Sequence, residues 1–407
     1  MNRYKQIINN IWLVVLTLLL CWIVPETIQT AMEKKEHYPF TYFSSIREEF
    51  CSTEYISKEE MVRKDESNNH YTEEQFDSIM PLFYYRQMLS TGRMPDSIHG
   101  YPITMRSIRQ DGFYLRYNPK DIDTPEIPLY PLLEAYTGRV KLEMSDDLFR
   151  IKNGIEFIDV ESNKVNEDKS DYFAQALKKK GITFPVSHCY GNPTTRKPYD
   201  EGYFILDAQN HLFHMKMVNS KPFIREVKEA RDIQVVHFMM YEIGNRNFYG
   251  FLFDNQNQVY LITTDKYKLQ KLPFKVDTQK EQMLIMANPL YWTVQITNDQ
   301  GRDYYAVDSH DLKIVRTMHR QRSEDTWDKY HQYVFPLRIH FEAYNSAYRY
   351  PRFYFGNIWS IALCALILVL FIAIDIKRRK KKKGIAYLVI LLTGIPGVIS
   401  SLLLRKL

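Results

Sequence analysis

His211 and His214 are the first residues in this chain whose type and proximity suggest chemistry, a metal-binding pair. They fall in a stretch of alternating polarity. A separation of three places two side chains on opposite faces of a strand, so they cannot hold one ion together. His319 and His331 lie in a basic, polar stretch and have no carboxylates at ligand spacing beside them. Asp146, Asp147 and Asp254 offer the paired carboxylates that glycoside hydrolysis needs, as any two acids would, without the geometry it requires. Asp207 and Asp254 each follow an apolar run and precede a polar turn. Neither loop has the dense oxygen spacing of a calcium site, and turn-making aspartate explains both. There is no phosphate-binding glycine loop, no G-x-S-x-G and no H-E-x-x-H. The expectation is a chain with no catalytic residues, no metal and no cofactor.

Four cysteines add little. Cys21 and Cys364 sit inside apolar blocks, where a thiol is a small hydrophobe. Cys51 and Cys189 lie in the middle of the chain and are a possible disulfide in an oxidising compartment. The remaining local motif runs from Leu82 to Ile98 (LFYYRQMLSTGRMPDSI). It reads structurally as a helix, a glycine stop and a proline turn. Functionally it offers a contact surface through Arg86, Arg93, Pro95 and Asp96. This stretch resembles a bacterial membrane-anchored family of unknown function with an F-Y-Y-R-Q…G-R-x-P-D-S-I motif. The resemblance extends over most of the chain, including paired C-terminal helices. It implies an association with ABC-type transporter subunits and carries no site residues.

The elements that must position these residues divide into apolar ends and a β-rich middle. Residues 1–10 precede an apolar block at 11–30, which reads as an uncleaved anchor because no small-x-small site follows it. Two further blocks, 356–376 and 384–404, are each about the length of a bilayer-crossing helix. Between them, at 377–383, lie Lys377, Arg378, Arg379, Lys380, Lys381, Lys382 and Lys383. Such a cationic turn stays cytoplasmic, and Arg3 and Lys5 keep the N-terminus on the same side. All three helices then agree on a multi-pass protein of the bacterial inner membrane, with the middle of the chain periplasmic. Membrane lipid is thus an expected partner. Removing these cations, Arg405, Lys406 and Asp375 from the net charge of +6 leaves the rest near −4. A mildly acidic middle argues against a nucleic-acid partner.

Residues 31–100 read as a polar linker followed by a helical segment. Thr72 and Gln75 form a capping box there, and Pro81 divides the helix. Residues 101–350 read as mainly β. Three stretches share one plan: an apolar run, a polar turn and two further strands, beginning at Gly202, Gly250 and Trp292. A weaker copy surrounds Lys152-Asn153-Gly154, and a fifth is sought at 103–117. A period in the mid-forties with four short strands predicts a propeller-like domain, with a β-sandwich as the alternative. The functional expectation is a non-catalytic, extracytoplasmic interaction protein, an accessory subunit of a membrane transport complex. An extracytoplasmic ligand sensor is the alternative, and a carbohydrate-active enzyme a third.

Overall fold

The alternating stretches become successive antiparallel sheets in the computed structural model. It describes residues 2–32, 38–57, 60–136, 138, 141–322, 326–378 and 384–404. The chain forms two compact units, 39–321 and 1–38 with 322–407. Each is described separately.

In the 39–321 unit, sheet A is Phe40–Phe43, Phe50–Tyr55 and Met61–Asp65. Sheet B is Tyr130–Pro131, Asp147–Ile151, Ile155–Asp159 and Val165–Asn166. Sheet C is His188–Gly191, Tyr203–Leu206, Leu212–Val218 and Lys221–Glu226. Sheet D is Val235–Met240, Phe248–Asp254, Gln258–Thr263 and Leu269–Lys275. Sheet E is Gln282–Ala287, Tyr291–Asn298, Gly301–Asp308 and Ile314–Gln321, with Phe113–Tyr117 added beside Gln282–Ala287. The chain is therefore mainly β, built from repeated four-stranded sheets.

The central strands are apolar throughout because both faces of their sheets are covered. Tyr203, Ile205, Phe213 and Met215 of sheet C pack with Phe149 and Phe157 of sheet B. The alternate residues Phe204, Leu206 and Leu212 pack with Phe238, Leu252 and Ile262 of sheet D. Phe251, Phe253 and Val259 of sheet D then meet Val294, Ile296 and Ile285 of sheet E. Sheet E closes its other face against sheet A through Phe43, Phe50, Tyr304 and Ala306. The sheets follow the succession B, C, D, E, A, so the first sheet in the chain packs on the last.

The repeated turns have one physical basis. Asp207 Oδ1 accepts the N–H groups of Gln209 and His211 at 2.9 and 2.8 Å. Asp254 Oδ1 accepts those of Gln256 and Gln258, both at 2.8 Å. Asn298 Oδ1 accepts from Gln300 and Gly301 at 2.9 and 3.2 Å. A short oxygen-bearing side chain that binds its own backbone is what these tight connections require.

Three expectations need correction. The 40–65 stretch is a sheet and not a linker. Its polar residues misled because their partners are distant: Gln295 Nε2 donates to the Thr41 carbonyl at 2.9 Å, and Phe43 N–H to Thr293 Oγ1 at 3.0 Å. Residues 103–117 are not a further four-stranded copy but a helix, Met105–Asp111, and the strand added to sheet E. The pairing of Cys51 with Cys189 is not formed; both are free thiols. Cys51 packs under Phe76 and Met80 on sheet A, and Cys189 faces the core shared by sheets B and C. The helical segment itself forms as Glu73–Ile79 and Tyr85–Ser90, with Thr72 and Gln75 in a reciprocal cap and Pro81 between them. The helix Glu167–Lys179 was not anticipated.

Glu66 ties sheet A to sheet E. Its carboxylate takes two hydrogen bonds from Arg316, Nε at 2.9 Å and Nη2 at 2.6 Å, and one from Phe50 N–H at 2.9 Å. Glu66→Ala should lower the unfolding free energy by about 1–2 kcal/mol, the range for a part-buried charge-assisted bond. The urea midpoint of the detergent-solubilised chain measures it, and protease cleavage within 40–65 should rise in parallel.

In the other unit, Tyr4–Met32 and Ile358–Lys377 are long and apolar enough to cross a membrane. The 384–404 block is divided into Gly384–Thr393 and Ile395–Leu403. Gly394 makes the break, with φ of +64°, and a Cβ there would lie 2.7 Å from Cys364 Sγ. Left-handed backbone and close approach both demand glycine at this position. Beyond it Gly397, Ser400 and Ser401 are buried, and Ser400 Oγ and Thr17 Oγ1 share a 2.7 Å hydrogen bond. Small residues at this spacing let apolar helices approach closely.

Candidate functional site

The residues considered for catalysis do not converge. Asp147 is held by Lys169 Nζ at 2.6 and 2.9 Å in sheet B, while Asp254 makes its turn in sheet D, with sheet C between them. His211 stays at its turn beside Asp207, and His214 is fully buried on the strand. His319 pairs with Asp303 at 2.7 Å, and His331 binds the Trp327 carbonyl at 2.9 Å. Among the described residues no three His, Cys, Asp or Glu side chains cluster as metal ligands. Lys377 and Arg378 end the Ile358–Lys377 helix, whereas Arg379, Lys380, Lys381, Lys382 and Lys383 lie outside the described residues.

Of the four motif residues, Arg93 is structural. Its Nη1 donates to the Glu74 carbonyl at 3.2 Å and its Nη2 lies 3.6 Å from the Asp77 carboxylate, locking the two short helices together. The Asp96 carbonyl accepts the Ile103 N–H at 2.8 Å, at the open end of the hairpin in which Ser97–Ile98 pairs with Tyr101–Pro102, and Pro95 lies just before it. Arg86 is exposed and donates to the neighbouring Tyr85 hydroxyl at 3.3 Å.

Among the described residues of the 39–321 unit are three clefts of about 490–620 Å3. The first, about 620 Å3, is lined by charged groups including Glu126, Arg150, Lys152 and Glu156, with Cys189 at its edge. Burial pushes the Cys189 thiol well above its ordinary range, which favours the protonated sulfhydryl. The second, about 490 Å3, lies between sheets D and E and is polar, with Asn245, Asn247, Gln270, Ser309 and His310. The third, about 590 Å3, is aromatic and sits at the motif itself.

Four chain segments build this third groove. Phe40 and Tyr42 come from the first strand of sheet A, and Leu82, Phe83 and Tyr85 from the motif. Ile108 and Arg109 come from the helix before the added strand, and Met286 from sheet E. Phe83 is fixed by ring contacts to Phe40 at 5.2 Å and Tyr42 at 5.0 Å. Large apolar surface nevertheless faces out: Phe40 is 43% exposed, Phe83 37% and Tyr114 55%. Arg109 is the one charged lining residue. Arg86 follows Tyr85, and Arg116 shares a strand face with Tyr114. None of the three arginines has a carboxylate partner among the described residues. The groove is thus an aromatic trough rimmed by arginines. The motif pointed to Leu82–Tyr85 and Arg86. Phe40, Arg109 and Tyr114 carried no local signal, because only the folded sheets bring them alongside.

Several solved structures are similar to the chain at low identity. A Dos1 propeller matches with a TM-score of 0.26 and 9% identity over 46% of this chain and 46% of its own. PorZ, a bacterial surface component of the type-IX secretion system of Porphyromonas gingivalis, matches with a TM-score of 0.22 and 8% identity, over 72% of this chain and 28% of its own. The Cps50 (Swd1) β-propeller domain of Myceliophteria thermophila matches with a TM-score of 0.22 and 8% identity, over 72% of this chain and 88% of its own. This chain therefore spans less than half the length of the first two. No curated protein matches it. Residues 40–307, from the first strand of sheet A into the third strand of sheet E, match the family described as a domain of unknown function, DUF4857, and the chain belongs to that family.

Proposed function

We propose that this chain is a non-catalytic, membrane-anchored interaction protein of a bacterial inner membrane that acts as an accessory subunit of a transport complex. In this reading Asn2–Met32, Ile358–Lys377 and the divided 384–404 block are its spans. The cationic 377–383 turn keeps their loop in the cytoplasm, and residues 39–321 are displayed on the periplasmic side as a propeller-like ring. Packing of the first sheet on the last supports the ring, since it leaves one junction to close.

The observation that carries the function is the arginine-rimmed aromatic groove. Exposed aromatic anchors with arginines around them are what protein partners bind. The occupant that suits it is a segment of a transporter subunit with large apolar side chains flanked by carboxylates; the cationic rim sets that charge. Transporters are the partner class that the family resemblance implies.

The full chain purified from its native host in mild detergent should carry such a subunit at a fixed ratio. A photo-crosslinker in place of Tyr114 should attach to an acid-flanked apolar segment. Arg109→Glu should reduce recovery at least tenfold, about 1.4 kcal/mol, with the thermal midpoint unchanged. Phe83→Ser should reduce recovery as much with a lowered midpoint, because Phe83 also packs on Phe40 and Tyr42. Recovery of the chain as a lone species, or equal recovery with both variants, would overturn the reading. A reporter fused near residue 200 tests the side of the membrane and must be active outside the cytosol.

The polar cleft between sheets D and E favours a second reading as a ligand sensor, in which a small polar ligand raises the thermal midpoint of the full chain.

A further inference from the structure

The segment just before the second long helix exposes aromatic rings to an extent that water does not favour. In the unit of 1–38 and 322–407, the strand Leu337–His340 pairs with Arg352–Phe355. On the connection and the second strand, Tyr344, Tyr348, Tyr350, Phe353, Tyr354 and Phe355 are 41–80% exposed. Tyr330 and Tyr333 on the helix Thr326–Val334 are exposed as well. A soluble surface carries scattered apolar residues, not a run of this length.

This aromatic collar is held rigidly at one end of the helices. Trp22 of the first helix meets Phe341 edge-on at 4.8 Å, and Glu26 accepts from His340 Nδ1 at 2.9 Å. Phe355 stands three residues before Ile358, where the second apolar helix starts with Ile358 and Trp359 both exposed. Lys377 and Arg378 mark the opposite end of that helix. Two arginines lie among the rings. Arg352 lies 3.8 Å from the Tyr350 ring centre and donates to the Phe341 and Tyr348 carbonyls at 3.0 and 3.2 Å. Arg338 lies between the Trp327 and Tyr354 rings, at 5.7 and 5.8 Å.

We propose that this collar is a lipid-binding surface lying in the headgroup layer of the outer leaflet, with tyrosines and arginines facing phospholipid headgroups and Phe353 and Phe355 reaching the acyl boundary. The inference rests on the membrane reading above. Amphipathic rings favour that layer because their apolar bodies leave water while their hydroxyls stay hydrated. Arginines among them bind phosphate. Continuity with the exposed, apolar start of the Ile358–Lys377 helix selects lipid over a protein partner.

The test places an environment-sensitive fluorophore on the full chain through Phe355→Cys, with Gln300→Cys as the control. The chain is reconstituted in phosphatidylethanolamine–phosphatidylglycerol vesicles with a headgroup spin-labelled lipid. Quenching by that lipid should be at least threefold stronger at 355 than at 300, and quenching by an aqueous nickel chelate correspondingly weaker. A label at 355 that is open to the chelate, on a chain that still floats with the vesicles after carbonate washing, overturns the collar and leaves the anchor standing. Shielding from both quenchers means that protein covers the patch and also overturns it. A chain that fails to float overturns both.

Discussion

Lys197→Met should destabilise the chain by about 3–5 kcal/mol at pH 7, the cost of leaving buried charge uncompensated. Lys197 Nζ lies 2.5 Å from Asp200 Oδ1 and 2.9 Å from Glu242 Oε1, and all three side chains are at most 4% exposed. The remaining carboxylate oxygens are satisfied by the fold. Asp200 Oδ2 accepts the Gly202 N–H at 3.0 Å, and Glu242 accepts the Glu201 N–H at 2.7 Å and Asn192 Nδ2 at 3.0 Å. Asn192, Lys197 and Asp200 belong to the connection inside sheet C, and Glu242 follows the first strand of sheet D, so the trio fastens neighbouring sheets. Burial already raises the Glu242 carboxyl above its ordinary range, and Lys197 opposes that rise. Without Lys197 it rises further. A carboxyl whose folded affinity for protons exceeds its unfolded one gains stability as pH falls. The deficit of Lys197→Met should therefore shrink between pH 7 and about 5, as read by urea midpoints of the detergent-solubilised chain. Adding Glu242→Gln to Lys197→Met should recover part of the loss at pH 7. A pH-independent deficit would mean that lost packing, not unpaired charge, is the cause.

The hairpins of sheets C, D and E were legible because each signal in them is local. Alternation, a turn-forming Asp207, Asp254 or Asn298, and a constant spacing all lie within a few dozen residues. The Thr72–Gln75 cap was legible for the same reason. Sheet A was not. Thr41, Ser44 and Ser52 are buried there, and Thr41 is satisfied by Gln295, more than 250 residues away in sequence. The strand Phe113–Tyr117 reads locally as part of a new repeat, and only pairing with Gln282–Ala287 shows where its edge goes. The helix Glu167–Lys179 presents few apolar residues, with Phe173 and Leu177 alone forming a deeply buried stripe. Its Asn166 cap and acidic first turn were present to be read. The groove fared as sheet A did: Leu82–Tyr85 announced itself as a motif, but its walls come from strands brought together by tertiary pairing.

His214 shows how a residue dismissed as a metal ligand can still govern behaviour. The full chain should lose stability steeply as pH falls from about 6.5, and His214→Gln should make that loss shallower. The ring is wholly buried and stacked on Phe204 at 4.5 Å between centres. Its Nε2–H donates to the Glu201 carbonyl at 2.5 Å, and its Nδ1 accepts from the Tyr267 hydroxyl at 2.7 Å. Lys216 and Arg225 add positive charge nearby, while the Glu201 carboxylate, 3.8 Å away, is occupied by Lys216 at 2.5 Å. Burial, then those cations, push the His214 pKa down to about 3, and burial with His188 pushes His237 down to about 4. Both folded values lie below the ordinary 6.5. Above 6.5 neither state binds these protons and the stability is intact. Below it the unfolded chain takes protons that the fold refuses, so stability falls by about 1.4 kcal/mol per pH unit for each histidine. Between pH 6.5 and about 4.5 the histidines lower stability, while carboxyls whose folded proton affinity is raised, Glu242 and Asp77, act with the opposite sign. The difference in slope between wild type and variant therefore reports His214. Glutamine can still donate to the Glu201 carbonyl and accept from Tyr267, but it cannot titrate. The variant should start lower at pH 7 because it loses the stack on Phe204. Its urea midpoint should then fall along a shallower slope than the wild type, leaving His237 and His331 as histidines whose folded proton affinity is lowered by burial. An unchanged slope would mean that the folded chain protonates His214 as readily as the unfolded chain does, and would overturn this account.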